Sequence, residues 1–143
     1  MQPIDPRIVK FIKRHHVMTL AVAKDNIPWV AHCFYCYDPD KNLFLFTSDD
    51  DTRHIRDFLG SGSREVSGGI ALETSIVGKI QGIQLSGRMY LLEGEAQAEG
   101  RKRYIRRFPV AVMADLHLWG LEPNFIKFTD NRLGFGKKLT WSL

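Results

Sequence analysis

The sequence is poor in the features that mark secreted, membrane-spanning and nucleotide-binding proteins. Its 143 residues include only two cysteines, Cys33 and Cys36, too few for a disulfide-stabilised secreted fold. No apolar run approaches the ~20 residues of a membrane span, and the N-terminus, interrupted by Pro3, Asp5 and Pro6, does not resemble a signal peptide. Walker, dinucleotide-binding, Ser/His/Asp and H-E-x-x-H motifs are absent from the sequence. We therefore expect a cytoplasmic protein without a metal site or membrane association.

Charge of one sign is not in large excess either. The 20 Lys+Arg and 16 Asp+Glu residues leave a net charge of +4, which permits an anionic partner without requiring nucleic acid. An apolar fraction of 44% and a charged fraction of 25% are ordinary for a globular protein and argue against disorder. The length predicts one domain over residues 1–143.

The hydrophobic pattern predicts a mainly β protein. Asp5 and Pro6 are suited to begin a helix, and apolar residues follow at helical spacing. Glycines within 79–96 indicate a bend or bulge in a long strand. This pattern favours a six-stranded antiparallel barrel with a few short helices. The pattern predicts strands over 18–24, 27–38, 43–47, 64–73, 79–96, 117–131 and 133–143, and further helices over 53–59 and 97–107.

The segment 47–54, Thr-Ser-Asp-Asp-Asp-Thr-Arg-His, is the most informative stretch. It joins a predicted strand to a helix whose first turn contains Arg53 and His54. A helix N-terminus carries about half a positive charge, so two basic residues there are unfavourable unless an anion binds. One interpretation is a phosphate site. The other is that Asp50 or Asp51 caps the helix and that Arg53 pairs with this acidic loop.

Two further motifs have simpler interpretations. Cys33 and Cys36 form a C-x-x-C pattern, but it lies in a predicted strand, where residues three apart point to opposite faces. We therefore predict packing in the core rather than redox or zinc chemistry. The run 101–107 contains five basic residues, which fit a solvated helix face or an anion site. Nucleic acid is not the expected partner, because one seven-residue cluster is weak evidence for it.

The chain resembles the FMN-binding split-barrel proteins, the pyridoxamine-phosphate oxidase-like superfamily. The resemblance covers most of the 143 residues in the order of elements. Its local signatures are GIQLSGRMYLLEGEA over 82–96 and the following helix that ends in RRFP. IKFTDNRLGFGKKLTW over 126–141, together with T-R-H at 52–54, is similar to the YhbP family of small bacterial proteins. The resemblance implies an antiparallel split barrel that forms a homodimer, with FMN in a groove at the subunit interface.

The resemblance also implies which residues hold the cofactor. In such proteins the phosphate is bound where the third strand meets the following helix. In this sequence, that position corresponds to Thr47, Ser48, Thr52, Arg53 and His54.

The flavin ring of these proteins contacts the second strand and a glutamine of the fifth strand from the other subunit. The corresponding second-strand residues are Ala31, His32 and Cys33, and the glutamine is Gln81 or Gln84. His32 is the candidate pocket-lining donor, although a histidine satisfied within the sheet is the simpler alternative.

Several positions depart from the oxidases. Their second strand supplies an arginine and a lysine near the phosphate, where this sequence has about Ala31 and Cys36, and His54 stands where they have a lysine. We therefore expect a flavin-dependent oxidoreductase of unknown substrate, not a pyridoxamine-phosphate oxidase. The alternative is a non-catalytic protein that binds haem, another flavin or a phosphorylated metabolite. The candidate substrate residues are Tyr104, Arg107 and Lys137.

Overall fold

The fold begins with a helix that covers one end of a β-barrel. The computed structural model describes residues 2–143. Helix α1 (Pro6–Arg14) starts where the Asp5 carboxylate accepts a hydrogen bond of 2.9 Å from the Arg7 N–H, which satisfies one of the free donors at the helix start. Its apolar residues are buried, and the Phe11 ring lies 5.1 Å from the Phe128 ring. Burial of each such side chain stabilises the fold by about 1.5–3 kcal/mol.

All seven strands belong to one antiparallel sheet in the order β3-β2-β1-β4-β5-β6-β7. Residues 118–121 of β6 pair with β3 and close a ring of six strands, and β7 is added to β6 beyond that ring. The predicted number of six strands is therefore one too low for the sheet as a whole. The strands are β1 (Val17–Lys24), β2 (Ile27–Asp38), β3 (Leu43–Thr47), β4 (Glu65–Ala71), β5 (Gln81–Leu91), β6 (Leu118–Asp130) and β7 (Lys138–Ser142).

The turn between β1 and β2 and the irregularity in β5 both lie where the sequence predicts them. Asp25 and Asn26 both adopt positive φ angles, of 52° and 62°, which matches the two-residue turn that best fits the twist of a hairpin. The predicted irregularity of the fifth strand is a bulge between Ser86 and Gly87. Glycine is required there, since a Cβ on Gly87 would collide with the backbone of Glu122.

Two more helices and three short 3₁₀ segments complete the chain. Helix α2 (Arg53–Gly60) follows β3, and α3 (Gly94–Arg107) begins three residues earlier than predicted. The final predicted strand is shortened, because its first residues form a 3₁₀ turn and a loop before β7. No helix within residues 2–143 combines the length and the apolar character needed to cross a membrane. The 3₁₀ segments are Val77–Lys79, Pro109–Met113 and Asn131–Leu133.

Apolar side chains form two separate cores. The larger one fills the barrel, and the smaller one lies between α3 and the neighbouring strands. Cys33 belongs to the barrel core and Cys36 to the smaller one, so the two thiols are free and lie on opposite faces of β2. The predicted packing role of the C-x-x-C pattern is confirmed.

Candidate functional site

The junction between β3 and α2 brings together several of the side chains that the sequence analysis identified as candidate cofactor ligands. Ser48 Oγ lies 2.8 Å from His54 Nε2, so the histidine faces back towards the end of the strand. Burial lowers the pKa of His54, which favours its neutral form. Thr47 is the last residue of β3, and the Ser48 carbonyl accepts a hydrogen bond of 3.3 Å from the Trp119 indole N–H.

The N-terminus of α2 has no side-chain cap. Thr52 occupies the capping position, but its hydroxyl donates a hydrogen bond of 2.8 Å to the Asp49 carbonyl instead of accepting one from the helix. The first turn contains no acidic residue. The free N–H groups of this turn therefore lack the side-chain acceptor that Asp5 provides in α1. An anion would supply the missing acceptor.

Arg53 is held at this junction by two contacts that sequence reasoning did not identify. Its guanidinium carbon lies 3.9 Å from the centroid of the Trp29 ring, and its Nε lies 3.3 Å from Asp57. Its terminal amino groups have no partner among the residues the structure describes, so they remain available to a ligand. The alternative interpretation, in which Arg53 pairs with the acidic loop, is not observed, since Arg53 pairs with Asp57 of its own helix and Asp50 lies beside His117 at 3.5 Å.

The second-strand candidates divide between the two faces of the sheet. Cys33 is buried, and burial raises the pKa of its thiol although the Ser48 hydroxyl beside it acts in the opposite direction. Ala31 pairs with Leu20 and packs against the barrel core. His32 faces outward, where its Nδ1 lies 3.0 Å from Thr19 Oγ1.

His32 shares an outward row of the sheet with Gln84. Successive pairs of the register connect His32 with Thr19, Thr19 with Gly69, and Gly69 with Gln84. Paired residues point to the same face, so both polar side chains lie on one surface. Three strand spacings separate them by about 14 Å. Within one chain they therefore flank a shared surface without touching.

Gln81 has a different environment. It is buried, and its Oε1 accepts hydrogen bonds from Arg14 at 3.3 Å and from Arg132 at 3.1 Å. Arg132 also binds the buried Asp130 carboxylate at 3.0 Å, and this hydrogen bond holds the pKa of Asp130 below its usual range. Gln81 therefore has its acceptor already engaged, which leaves Gln84 as the better placed of the two glutamines.

The three substrate candidates come from two regions of the chain. Tyr104 and Arg107 are on α3, where the Tyr104 hydroxyl donates a hydrogen bond of 3.4 Å to the Phe34 carbonyl. Lys137 is exposed in the connection between β6 and β7. Within residues 2–143, no group of three or more His, Cys, Asp or Glu side chains has the arrangement of a metal site.

Proteins of known sequence place the chain in a family. A UPF0306 protein of Klebsiella pneumoniae is 41% identical over 134 residues, covering 94% of this chain and 90% of that protein. A UPF0306 protein of Photorhabdus laumondii is 40% identical over 134 residues, covering 94% of this chain and 92% of that protein. The chain belongs to the UPF0306 family. No protein-family model matches the chain.

Solved structures identify the fold of this UPF0306 chain. A heme binding protein from Mycobacterium smegmatis superimposes with a TM-score of 0.76 at 17% identity, covering 97% of this chain and 59% of that one. The heme storage protein of Vibrio cholerae superimposes with a TM-score of 0.71 at 13% identity, covering 99% of this chain and 95% of that one. A FAD-binding protein from Mesorhizobium loti superimposes with a TM-score of 0.67 at 15% identity, covering 85% of this chain and 89% of that one. The UPF0306 chain thus has the split-barrel fold of the pyridoxamine-phosphate oxidase-like proteins.

Proposed function

We propose that this UPF0306 protein binds FMN and is a flavin-dependent oxidoreductase. The observation that carries the proposal is the uncapped N-terminus of α2, whose first residue, Arg53, has two unpartnered amino groups. The similarity to a FAD-binding protein of the same fold supports a flavin as the ligand.

The residues at the junction fit the phosphate group of FMN. A phosphate monoester carries about 1.5–2 negative charges at pH 7, and Arg53 together with the helix N-terminus offers about 1.5 positive charges. The guanidinium fork and the free N–H groups match phosphate oxygens in geometry as well as in charge. Asp57, which pairs with Arg53, opposes the anion, as do Asp49 and Asp51 of the preceding loop. We therefore expect modest affinity that weakens further as salt is added.

The flavin ring would lie on the outward face of the sheet, which supports the proposal of a homodimer. This face carries exposed apolar residues, among them Val30 at 53% and Phe34 at 57% exposure. Because His32 and Gln84 of one chain are about 14 Å apart, a second copy would bring its own Gln84 to the ring beside His32. The groove would then be complete only in the dimer.

The roles of the chain's own residues follow from this placement. When bound, the flavin supplies the hydride or electron transfer. Arg53 and the free N–H groups at the start of α2 would orient it through the phosphate. His32 uses Nδ1 towards Thr19, so Nε2 remains to contact the ligand. Cys36 is no nucleophile, because burial raises the pKa of its thiol to about 12.

The absorbance spectrum of the purified protein tests the proposal. We expect flavin bands either in the protein as purified or after incubation with FMN and removal of the excess. A colourless protein that retains no FMN would contradict the proposal. Oxidation of NADPH by the loaded protein with an electron acceptor would support the oxidoreductase role.

A non-catalytic haem-binding protein is the second candidate. Two solved structures of the same fold are of a heme binding and a heme storage protein, and they cover 97% and 99% of this chain. The exposed Phe34 ring lies parallel to His16, with centroids 6.0 Å apart, and offers an apolar surface with an imidazole beside it. A Soret band on addition of hemin, together with no retained FMN, would favour this candidate over the first.

A further inference from the structure

Two adjoining segments, residues 74–80 and 131–138, expose a group of large apolar side chains. The first segment precedes β5, and the second leads from β6 into β7. We call this surface the loop patch. Each of its apolar side chains is at least 40% exposed, and Phe135 is 86% exposed. A protein surface that gathers such side chains commonly marks an interaction site. The apolar residues of the loop patch are Ile76, Val77, Ile80, Leu133 and Phe135.

The two segments are fixed to each other through Asn131. Its backbone N–H donates a hydrogen bond of 3.0 Å to the Ile80 carbonyl, and its side-chain Nδ2 donates one of 2.7 Å to the Val77 carbonyl. Its Oδ1 accepts a hydrogen bond of 3.0 Å from the Gly136 N–H. Gly136 has a φ of 70°, which glycine adopts without strain. The loop patch is therefore formed in advance, so little conformational entropy is lost when it binds a partner.

Positive charge borders the loop patch. Neither segment contains an aspartate or a glutamate, and the acidic residues next to them in sequence are Glu73 and Asp130. Asp130 is buried and pairs with Arg132 at 3.0 Å. Four basic residues against these two carboxylates leave an excess of positive charge. Among residues 2–143, no carboxylate lies within 4 Å of the three lysines of the patch, Lys79, Lys137 and Lys138.

We propose that the loop patch docks the protein onto the surface of an anionic lipid bilayer. The apolar side chains enter the boundary between headgroups and acyl chains, and the lysines contact lipid phosphates. The absence of a membrane-spanning run predicted no membrane association, but a peripheral contact needs no such run. The loop patch includes neither Arg53 nor Val30, so the proposal is independent of flavin binding and of the proposed dimer.

The composition of the loop patch favours a bilayer over other partners. If two copies met through this patch, their lysines would face each other and repel. Aliphatic side chains such as Ile76 and Val77 offer no stacking surface to the bases of a nucleic acid. A protein partner needs a surface of complementary shape. A fluid bilayer needs only protruding apolar side chains with cations around them.

Sedimentation of the whole chain with lipid vesicles tests the proposal. We expect binding to vesicles of equal parts phosphatidylglycerol and phosphatidylcholine, and binding at least about tenfold weaker to phosphatidylcholine alone. Added salt should weaken the binding, because it screens the lysines from the lipid phosphates. Phe135→Ser and the pair Lys137→Gln/Lys138→Gln should each lower the affinity by about tenfold or more. Absence of binding to the anionic vesicles would overturn the proposal.

Matched control variants change exposed residues of the same kinds elsewhere. Met113→Ser alters a side chain that is 87% exposed, and Lys102→Gln/Arg106→Gln removes two exposed charges from α3. Both positions precede β6, whereas residues 131–138 follow this strand of 13 residues, so the controls lie towards its other end. We expect the controls to leave vesicle binding unchanged. Equal losses in the controls and in the patch variants would mean diffuse attraction and overturn the proposal.

Insertion of the loop tip has a readout of its own. Phe135→Trp adds an indole there, and its emission is the difference from the wild type, which has three tryptophans. We expect this emission to shift to shorter wavelength on anionic vesicles, and an unchanged emission would contradict insertion. Light scattering without lipid is the final check. If Phe135→Ser converts a dimer to a monomer, the loop patch is a protein interface and the proposal is wrong.

Discussion

The guanidinium of Arg53 stacks on the indole of Trp29 at 3.9 Å, and this contact joins the start of α2 to β2. Arg53 also pairs with Asp57 one helical turn further on. A long side chain held at two points loses less conformational entropy when it binds a ligand than a free one. The aromatic contact thus prepares Arg53 for the proposed phosphate.

Removal of the Arg53 charge should weaken FMN binding. We expect Arg53→Gln to raise the dissociation constant by about tenfold or more, because a charge-assisted hydrogen bond to phosphate is lost. Quenching of flavin fluorescence at constant ionic strength measures this constant. Arg56→Gln is the control, as it removes an exposed charge from the same helix. Equal effects of both substitutions would refute a specific role for Arg53.

Trp29 should act on the ligand only through Arg53. A cation–π contact at an exposed site is worth about 0.5–1 kcal/mol, so Trp29→Leu should weaken FMN binding about two- to fivefold. Trp29→Phe keeps an aromatic face and should recover part of the loss. In the Arg53→Gln background the Trp29→Leu substitution should have little further effect. Additive effects in this double-mutant cycle would be inconsistent with a positioning role.

His54 should make the protein less stable in mild acid. Burial lowers its pKa in the folded state below the unfolded value of about 6.5, so the unfolded chain binds more protons below that pH. Its contribution to stability is fully present above about pH 6.5 and is lost as the pH falls through the folded pKa. Urea unfolding at pH 7 and pH 5 should show a smaller loss for His54→Gln than for the wild type. An identical loss would contradict this assignment.

The bulge in β5 should tolerate no side chain at Gly87. A Cβ there would collide with the Glu122 carbonyl and lie 2.9 Å from a methyl group of Leu121, so we expect Gly87→Ala to cost about 1–3 kcal/mol of stability. Gly78→Ala is the control, since a Cβ at that position meets no atom within 4 Å. Chemical denaturation compares the two, and similar midpoints would show that the strand pair relaxes around the added methyl.

The outward apolar face should control the proposed dimerisation. In a two-fold interface through this face, Val30→Glu would place a negative charge near the same glutamate of the second copy. Because the two charges repel, we expect light scattering to show a monomer. Val110→Glu changes an apolar residue that is 82% exposed in a 3₁₀ segment, and should leave the assembly unchanged. A dimer that survives Val30→Glu would place the interface elsewhere.

Most helices and strands could be predicted from the sequence, because capping residues, turn residues and hydrophobic periodicity are local features. Asp5 marks the start of α1, and Asp25 and Asn26 mark a hairpin, as the structure confirms. The pattern predicts a strand near each of the seven observed ones, but it could not show which of them close the barrel, since β7 pairs only with β6. Strand pairing depends on contacts between distant residues, which periodicity does not report.

The candidate site was accessible in part. The residue types of segment 47–54 predicted an anion site at the start of α2, and in the structure no side chain caps this helix end. Trp29 was missed because its contact with Arg53 spans 24 positions and leaves no spacing signal. Gln81 and Gln84 could not be separated without the register, which buries one and exposes the other.

Closure of the barrel by β3 and β6 determines when the molecule can fold. Residues 44–47 pair with residues 118–121, so their partners leave the ribosome only after most of the chain has been made. Until then the hairpins of the first 47 residues present an open edge of unpaired N–H and C=O groups, which is a template for aggregation. Contacts so distant in sequence also slow folding. We therefore expect fragments that end before β6 to aggregate, and the whole chain to fold more slowly than a helical protein of its size.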